Sequence, residues 1–114
     1  MPVTIKFSGE KLVAYIQGEV DHHTAPDIRD AIDDAILVNE KAKTIVLDFS
    51  RVSFMDSSGV GLVMGRYRLA ISKGKSIAVE NLTERDYKIM KMSGIERLAP
   101  ISRKENNGRF GDAL

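Results

Sequence analysis

Two kinds of apolar spacing alternate along the chain. Val3, Ile5 and Phe7 are separated by single polar residues, the period-two pattern of a strand with one buried face. Ser8-Gly9-Glu10-Lys11 reads as a turn, and Leu12 to Gln17 is apolar on both faces, so the two runs predict a hairpin with a more central second strand. Gly18 to His23 reads as a polar connector. Ile28, Ala31, Ile32, Ala35 and Ile36 then recur at helical spacing up to about Asn39, with Asp27, Asp30, Asp33, Asp34 and Glu40 on the solvent side. Thr24 reads as the N-cap of this helix, with Asp27 as its capping-box partner. Pro26 falls in the first turn, where its missing N–H costs nothing.

The second half repeats the alternation. Ile45-Val46-Leu47-Asp48-Phe49 predicts a short buried strand, and Val60, Val63, Met64, Tyr67 and Ile71 predict the inward stripe of a helix from about Ser57 to Ser72. Gly74 suits the left-handed residue that closes it. Ile77 to Val79 predicts another strand. Thr83 with Asp86 opens a third helix, carrying Tyr87 and Met90, which Ser93-Gly94 ends. Ile95 to Ile101 predicts a last edge strand, weakened by Pro100. The order β-β-α-β-α-β-α-β predicts an α/β fold: a mixed, mostly parallel sheet of four to five strands whose N-terminal hairpin supplies an antiparallel edge. One domain over residues 1–101 is expected, followed by a polar tail, 102–114, expected to fray.

Composition narrows the functional classes. At 114 residues with 43% hydrophobic positions, the chain can bury one real core. Its 17 basic and 16 acidic residues nearly cancel, which supplies no field for nucleic acid or an anionic membrane. It has no cysteine, so thiol catalysis, thiolate metal sites and disulfides are excluded. No leader-like segment is visible near Met1, and no run approaches the roughly 18 apolar residues of a membrane helix. A cytoplasmic location is the expectation.

The chemistry concentrates in Phe54-Met55-Asp56-Ser57-Ser58-Gly59-Val60-Gly61, where strand spacing gives way to helix spacing. First-turn N–H groups are unpaired at a helix start, and the dipole favours negative charge there. A hydroxyl at that point can cap the helix, attack an electrophile or accept a phosphate. Nucleophilic attack lacks support: the first glycine of a Gly-x-Ser-x-Gly elbow is missing, and both histidines, His22 and His23, precede the serines. Gly59-x-Gly61-x-x-x-Gly65 is one residue too long for a dinucleotide fingerprint and lies inside the helix. Asp21, His22 and His23 have no second cluster of ligands to complete a metal site. Phosphorylation remains, beside plain capping. A phosphate adds roughly −1.5 to −2 charges, tolerable at a helix mouth but costly under a docked partner. On these grounds Ser57 and Ser58 are equivalent. Leu62, Arg66 and Leu69 share another helix face, expected to be wet and to offer a docking strip.

The segment from Phe54 to Gly61, followed by Gly65-Arg66-Tyr67, resembles the phosphorylation segment of bacterial anti-sigma-factor antagonists, which are small single STAS domains. Gly18-Glu19-Val20-Asp21-His22-His23-Thr24-Ala25 resembles a second family segment, in a form typical of the sporulation branch, and Met92-Ser93-Gly94 a third. The resemblance implies helices packed mainly on one side of the sheet. It implies a regulatory binding module and no enzyme activity. The partners it implies are an anti-sigma factor that is also a serine kinase, and a serine phosphatase. Phosphorylation is implied at Ser57, with partner contacts at Asp21, His22, His23, Thr24, Asp56, Ser58, Gly59, Gly61 and Leu62. Asp56 is expected to cap the helix. No cofactor is expected in the chain itself; ATP and magnesium come with the kinase. Control of sporulation transcription is the implied role. A stress-response partner switch and a nucleotide-binding STAS module are the alternatives.

Overall fold

A computed structural model describes residues 2–105. Strands β1 (Val3–Ser8) and β2 (Lys11–Val20) form the expected antiparallel hairpin. Helix α1 (Ala25–Val38), strand β3 (Thr44–Met55), helix α2 (Ser58–Ser72), strand β4 (Ser76–Leu82), helix α3 (Glu84–Ser93) and strand β5 (Ile101–Arg103) follow. The sheet order is β1-β2-β3-β4-β5, and every pair after the hairpin is parallel. The order never reverses direction. Right-handed crossovers then place all three helices on one face of the sheet, with α1 packed on α2 and α2 on α3.

The core fills the gap between that face and the helices. Leu12, Ala14 and Ile16 of β2, Ile45, Leu47 and Phe49 of β3, and Val79 of β4 meet Ile28, Ile32 and Ile36 of α1, Val63 of α2 and Met90 of α3, all essentially inaccessible. Each such Ile or Leu contributes roughly 1.5–3 kcal/mol through burial. On the opposite face the Tyr15 ring lies beneath the Arg51 guanidinium at 4.5 Å and the Lys6 ammonium at 5.8 Å.

Several expected boundaries move. β2 continues through Gly18-Glu19-Val20, taken from the sequence as connector, and β3 runs to Met55 instead of stopping at Phe49. The two extensions pair with each other across register shifts, ending at Val20 opposite Met55. Ile95–Arg97 is a 3-10 turn, so the last strand is not Ile95 to Ile101 but Ile101–Arg103. Ser102 and Arg103 therefore belong to the sheet, and residues 106–114 of the expected frayed tail lie outside the described residues. Gly74 and Gly94 adopt φ of +72° and +87° after their helices, as left-handed closing residues do. Lys75, in the turn before β4, is buried; its ammonium donates to the carbonyls of Asn39, Glu40 and Ala42 just beyond the end of α1.

Candidate functional site

Because β2 and β3 end side by side, the loops that follow them are neighbours: Asp56 N–H donates to Val20 O at 3.1 Å. The two sequence segments singled out for docking thus meet at the carboxyl ends of parallel strands, where open α/β sheets present their sites.

The first loop is fixed by a capping box one turn earlier than expected. Asp21 Oδ1 accepts from Thr24 N–H at 3.0 Å and His23 N–H at 2.9 Å, while Thr24 Oγ1 accepts from Asp21 N–H at 3.0 Å. Thr24 makes no side-chain cap to α1, so the expected Thr24–Asp27 pairing is replaced by Asp21–Thr24. The Thr24 N–H holds the Asp21 carboxyl below its ordinary 3.8. His22 and His23 are exposed, their rings tilted by 37° with centroids 4.0 Å apart.

The second loop is Asp56-Ser57. Asp56 Oδ1 accepts the Ser58 N–H at 2.8 Å, Asp56 O accepts Gly59 N–H at 3.0 Å, and Ser57 O accepts Val60 N–H at 3.1 Å. The first turn of α2 therefore holds no spare row of amides for an anion; a tight turn and the Asp56 carboxylate already occupy them. The two serines differ. Ser57 is exposed and its hydroxyl has no hydrogen-bond partner among the described residues. Ser58 is half-buried and lines a cavity between α1 and α2.

That cavity, about 320 Å³, has His22, Ala25, Pro26 and Arg29 on one wall and Ser58, Gly61, Leu62 and Arg66 on the other. Two expectations fail here. Leu62 and Arg66 are only 4% and 7% exposed and Leu69 is half-buried, so the wet strip does not exist; Leu62 forms part of the cavity wall instead. Ile71, expected inward, is 51% exposed. α2 is rotated so that Gly59, Leu62, Val63, Arg66 and Ala70 face inward. Gly59 is buried against Met55 and acts in packing, not as an exposed contact. Arg66 can lie inward because Asp33 of α1 meets it, Nε to Oδ1 at 2.6 Å. Burial pushes the Asp33 carboxyl up and the Arg66 guanidinium down, each partly opposed by the charge of the other.

One residue packed on the end of β3 is not visible in the sequence pattern. Arg85, in the first turn of α3, donates to Met55 O at 2.9 Å and to Asp86 Oδ1 at 3.2 Å, and lies 5.3 Å from the ring centre of half-exposed Phe54. Thirty residues separate Arg85 from Met55, so no local pattern announces the contact. Among the described residues, no three His, Cys, Asp or Glu side chains are grouped to hold a metal, and no helix is long and apolar enough to cross a membrane.

Residues 2–108 match the family model described as the STAS domain. An anti-sigma F factor antagonist of Paenibacillus polymyxa is 38% identical over 96 residues, covering 84% of this chain and 81% of the relative. The solved structure of the anti-sigma factor antagonist SpoIIAA in its unphosphorylated form superposes with a TM-score of 0.72 at 34% identity, covering 87% of this chain and 86% of that one. The Bacillus cell fate determinant SpoIIAA in the phosphorylated form superposes with a TM-score of 0.65 at 32% identity, covering 87% and 89%. Both forms of that relative thus share the fold described above.

Proposed function

This chain belongs to the STAS-domain family and is an anti-sigma-factor antagonist, and from that premise we propose that Ser57 is the switch by which it grips and releases its partner. The chain is a regulatory protein and not an enzyme. Unphosphorylated, it binds an anti-sigma factor in the cytoplasm and so frees a sigma factor for sporulation transcription. The anti-sigma factor is also the serine kinase. Ser57 Oγ attacks the γ-phosphorus of ATP, the bond to the bridging oxygen breaks, ADP departs with the electron pair, and a base of the kinase takes the hydroxyl proton. Magnesium and ATP belong to the kinase. A serine phosphatase later hydrolyses the ester and restores the binding form.

The observation that carries this reading is the contrast between the two serines: Ser57 offers an exposed, unpartnered hydroxyl, whereas Ser58 turns to the α1–α2 cavity. The electrostatics support the off-state. With the N–H groups of Ser58, Gly59 and Val60 already bonded, a phosphate on Ser57 gains little from its own chain. Water can solvate it; a docked protein cannot. Leaving such a charge uncompensated costs several kcal/mol, and about 4 kcal/mol is roughly a thousandfold in affinity.

The test is mass spectrometry after incubation with the cognate anti-sigma factor and Mg-ATP. Wild type and Ser58→Ala should each gain one phosphoryl group, and Ser57→Ala none while still binding. Phosphate incorporation into Ser57→Ala, or its loss in a folded Ser58→Ala protein, would refute the assignment.

A further inference from the structure

The α1–α2 cavity, with His22 and Ser58 in its lining, sets two arginines beside short apolar side chains. Arg66 is 7% exposed; its Nε faces Asp33 Oδ1 and its Nη1 donates to Leu62 O at 3.3 Å. Arg29 is held through Nε as well, donating to Asp30 Oδ1 at 3.0 Å, and its side chain is 49% exposed. The acids on α1 thus engage each guanidinium at its Nε edge. Both Nη groups of Arg29 and Nη2 of Arg66 have no hydrogen-bond partner among the described residues. No acidic residue lines the cavity. Its size sits at the lower end of those that take ligand groups. Ala25, Pro26, Gly61 and Leu62 supply an apolar wall that fits a methylene stem and not a water-filled channel.

We propose that this cavity receives an acidic side chain, a glutamate by its length, from the anti-sigma factor. The inference rests on the docking reading above and names the chemistry of the contact. The carboxylate enters past His22, its stem lies on Pro26 and Leu62, and its oxygens accept from the Nη groups of Arg29, with Arg66 behind. Guanidinium ends already held at Nε lose little freedom on pairing. The arrangement also explains why the switch lies where it does. Ser58 is in the cavity wall and Ser57 precedes it in the chain, so a phosphate dianion on Ser57 brings negative charge close to the cavity and opposes the incoming carboxylate.

The test is titration calorimetry of the full chain and its cognate anti-sigma factor at several salt concentrations, with melting temperatures as the folding control. Arg29→Met, at an exposed position, should fold as wild type, bind roughly tenfold to a hundredfold more weakly, and show a shallower salt dependence. Arg29→Lys should recover part of the loss. Among Glu→Gln variants of the anti-sigma factor, one should weaken wild-type binding yet add little to Arg29→Met, the mark of a direct pair. Arg29→Met binding like wild type, or the absence of any such glutamate, overturns the inference alone. ATP or GTP binding to the isolated chain that is lost in Arg29→Met also overturns it and makes the occupant a nucleotide phosphate. Failure of the wild-type chain to bind any anti-sigma factor sinks the antagonist reading and this contact together.

Discussion

Gly59 and Gly61 occupy the same turn of α2, yet substitution by alanine should move stability in opposite directions. Both are helical, so each gains when an alanine replaces a more flexible residue, by about 0.5–1 kcal/mol. At Gly61 a Cβ meets nothing within 4 Å, so that gain is kept. At Gly59 the new Cβ comes within 2.5 Å of Met55 Cγ and closer still to its Sδ. Met55 is fully buried and cannot swing into solvent, so it must repack within the core. Overpacking of this kind costs about 1–3 kcal/mol. Set against the helix gain, the net for Gly59→Ala is a loss centred on about 1 kcal/mol. For a domain of this size 1 kcal/mol moves the melting temperature by about 4 °C. Gly59→Ala should therefore melt about 4 °C below wild type and Gly61→Ala about 2–4 °C above it, as differential scanning calorimetry reads directly. Gly59→Ala melting at or above wild type would show that Met55 does not fill the space beneath the first turn.

Other measurements probe the rest of the frame. Gly61→Leu puts a side chain into the α1–α2 cavity and should weaken anti-sigma-factor binding in a pull-down while the protein still melts cooperatively. Ser57→Asp changes an exposed position; surface changes stay within about 0.5 kcal/mol, so its melting should shift by no more than about 2 °C while calorimetric binding is largely lost. Lys75→Met strips the ammonium from three carbonyls beyond α1 and should cost about 2–4 kcal/mol in urea denaturation, with docking unaffected at the far end of the helix. Asp21 has its carboxyl held below 3.8, mainly by the Thr24 N–H. Its contribution is present above 3.8 and is lost as pH falls through the lower, folded value. Asp21→Asn should flatten that part of the acid limb, and NMR titration of the Asp21 carboxyl carbon should give a value below 3.8.

Much of the fold was legible because its signals are local. Alternation at Val3, Ile5 and Phe7 marks β1, and Thr83 accepts from Asp86 N–H as the spacing of the pair suggests. What escaped depends on tertiary choice. α2 carries apolar residues on most of its circumference, so two inward stripes fit a period of about 3.6 residues. Hydropathy cannot select the one that includes an arginine; Asp33, 33 positions earlier on another helix, makes Arg66 an acceptable inward residue. Asp21-x-x-Thr24 and Thr24-x-x-Asp27 are equally good capping patterns on paper, and the junction of β2 with α1 selects the earlier. β3 outlasts its apolar run because β2 pairs with it as far as Met55, a partnership invisible in either segment alone. At the site, the pair Ser57-Ser58 stood out at the strand-to-helix junction, and the preference for Ser57 came from the family resemblance. The difference in exposure between Ser57 and Ser58, and the placement of Arg29 and Arg85, needed the neighbouring helices.

The tight turn at the mouth of α2 has a consequence for timing. With Asp56 already holding the Ser58 amide, a phosphoryl group placed on Ser57 as proposed above would find no free row of amides to recruit and so nothing that calls for the turn to be rebuilt. On that reading the chain would keep no memory of a modification, and resetting it would require no slow rearrangement. The tempo of the proposed switch would then belong to the kinase and phosphatase it calls for, and one molecule could be cycled many times without wear.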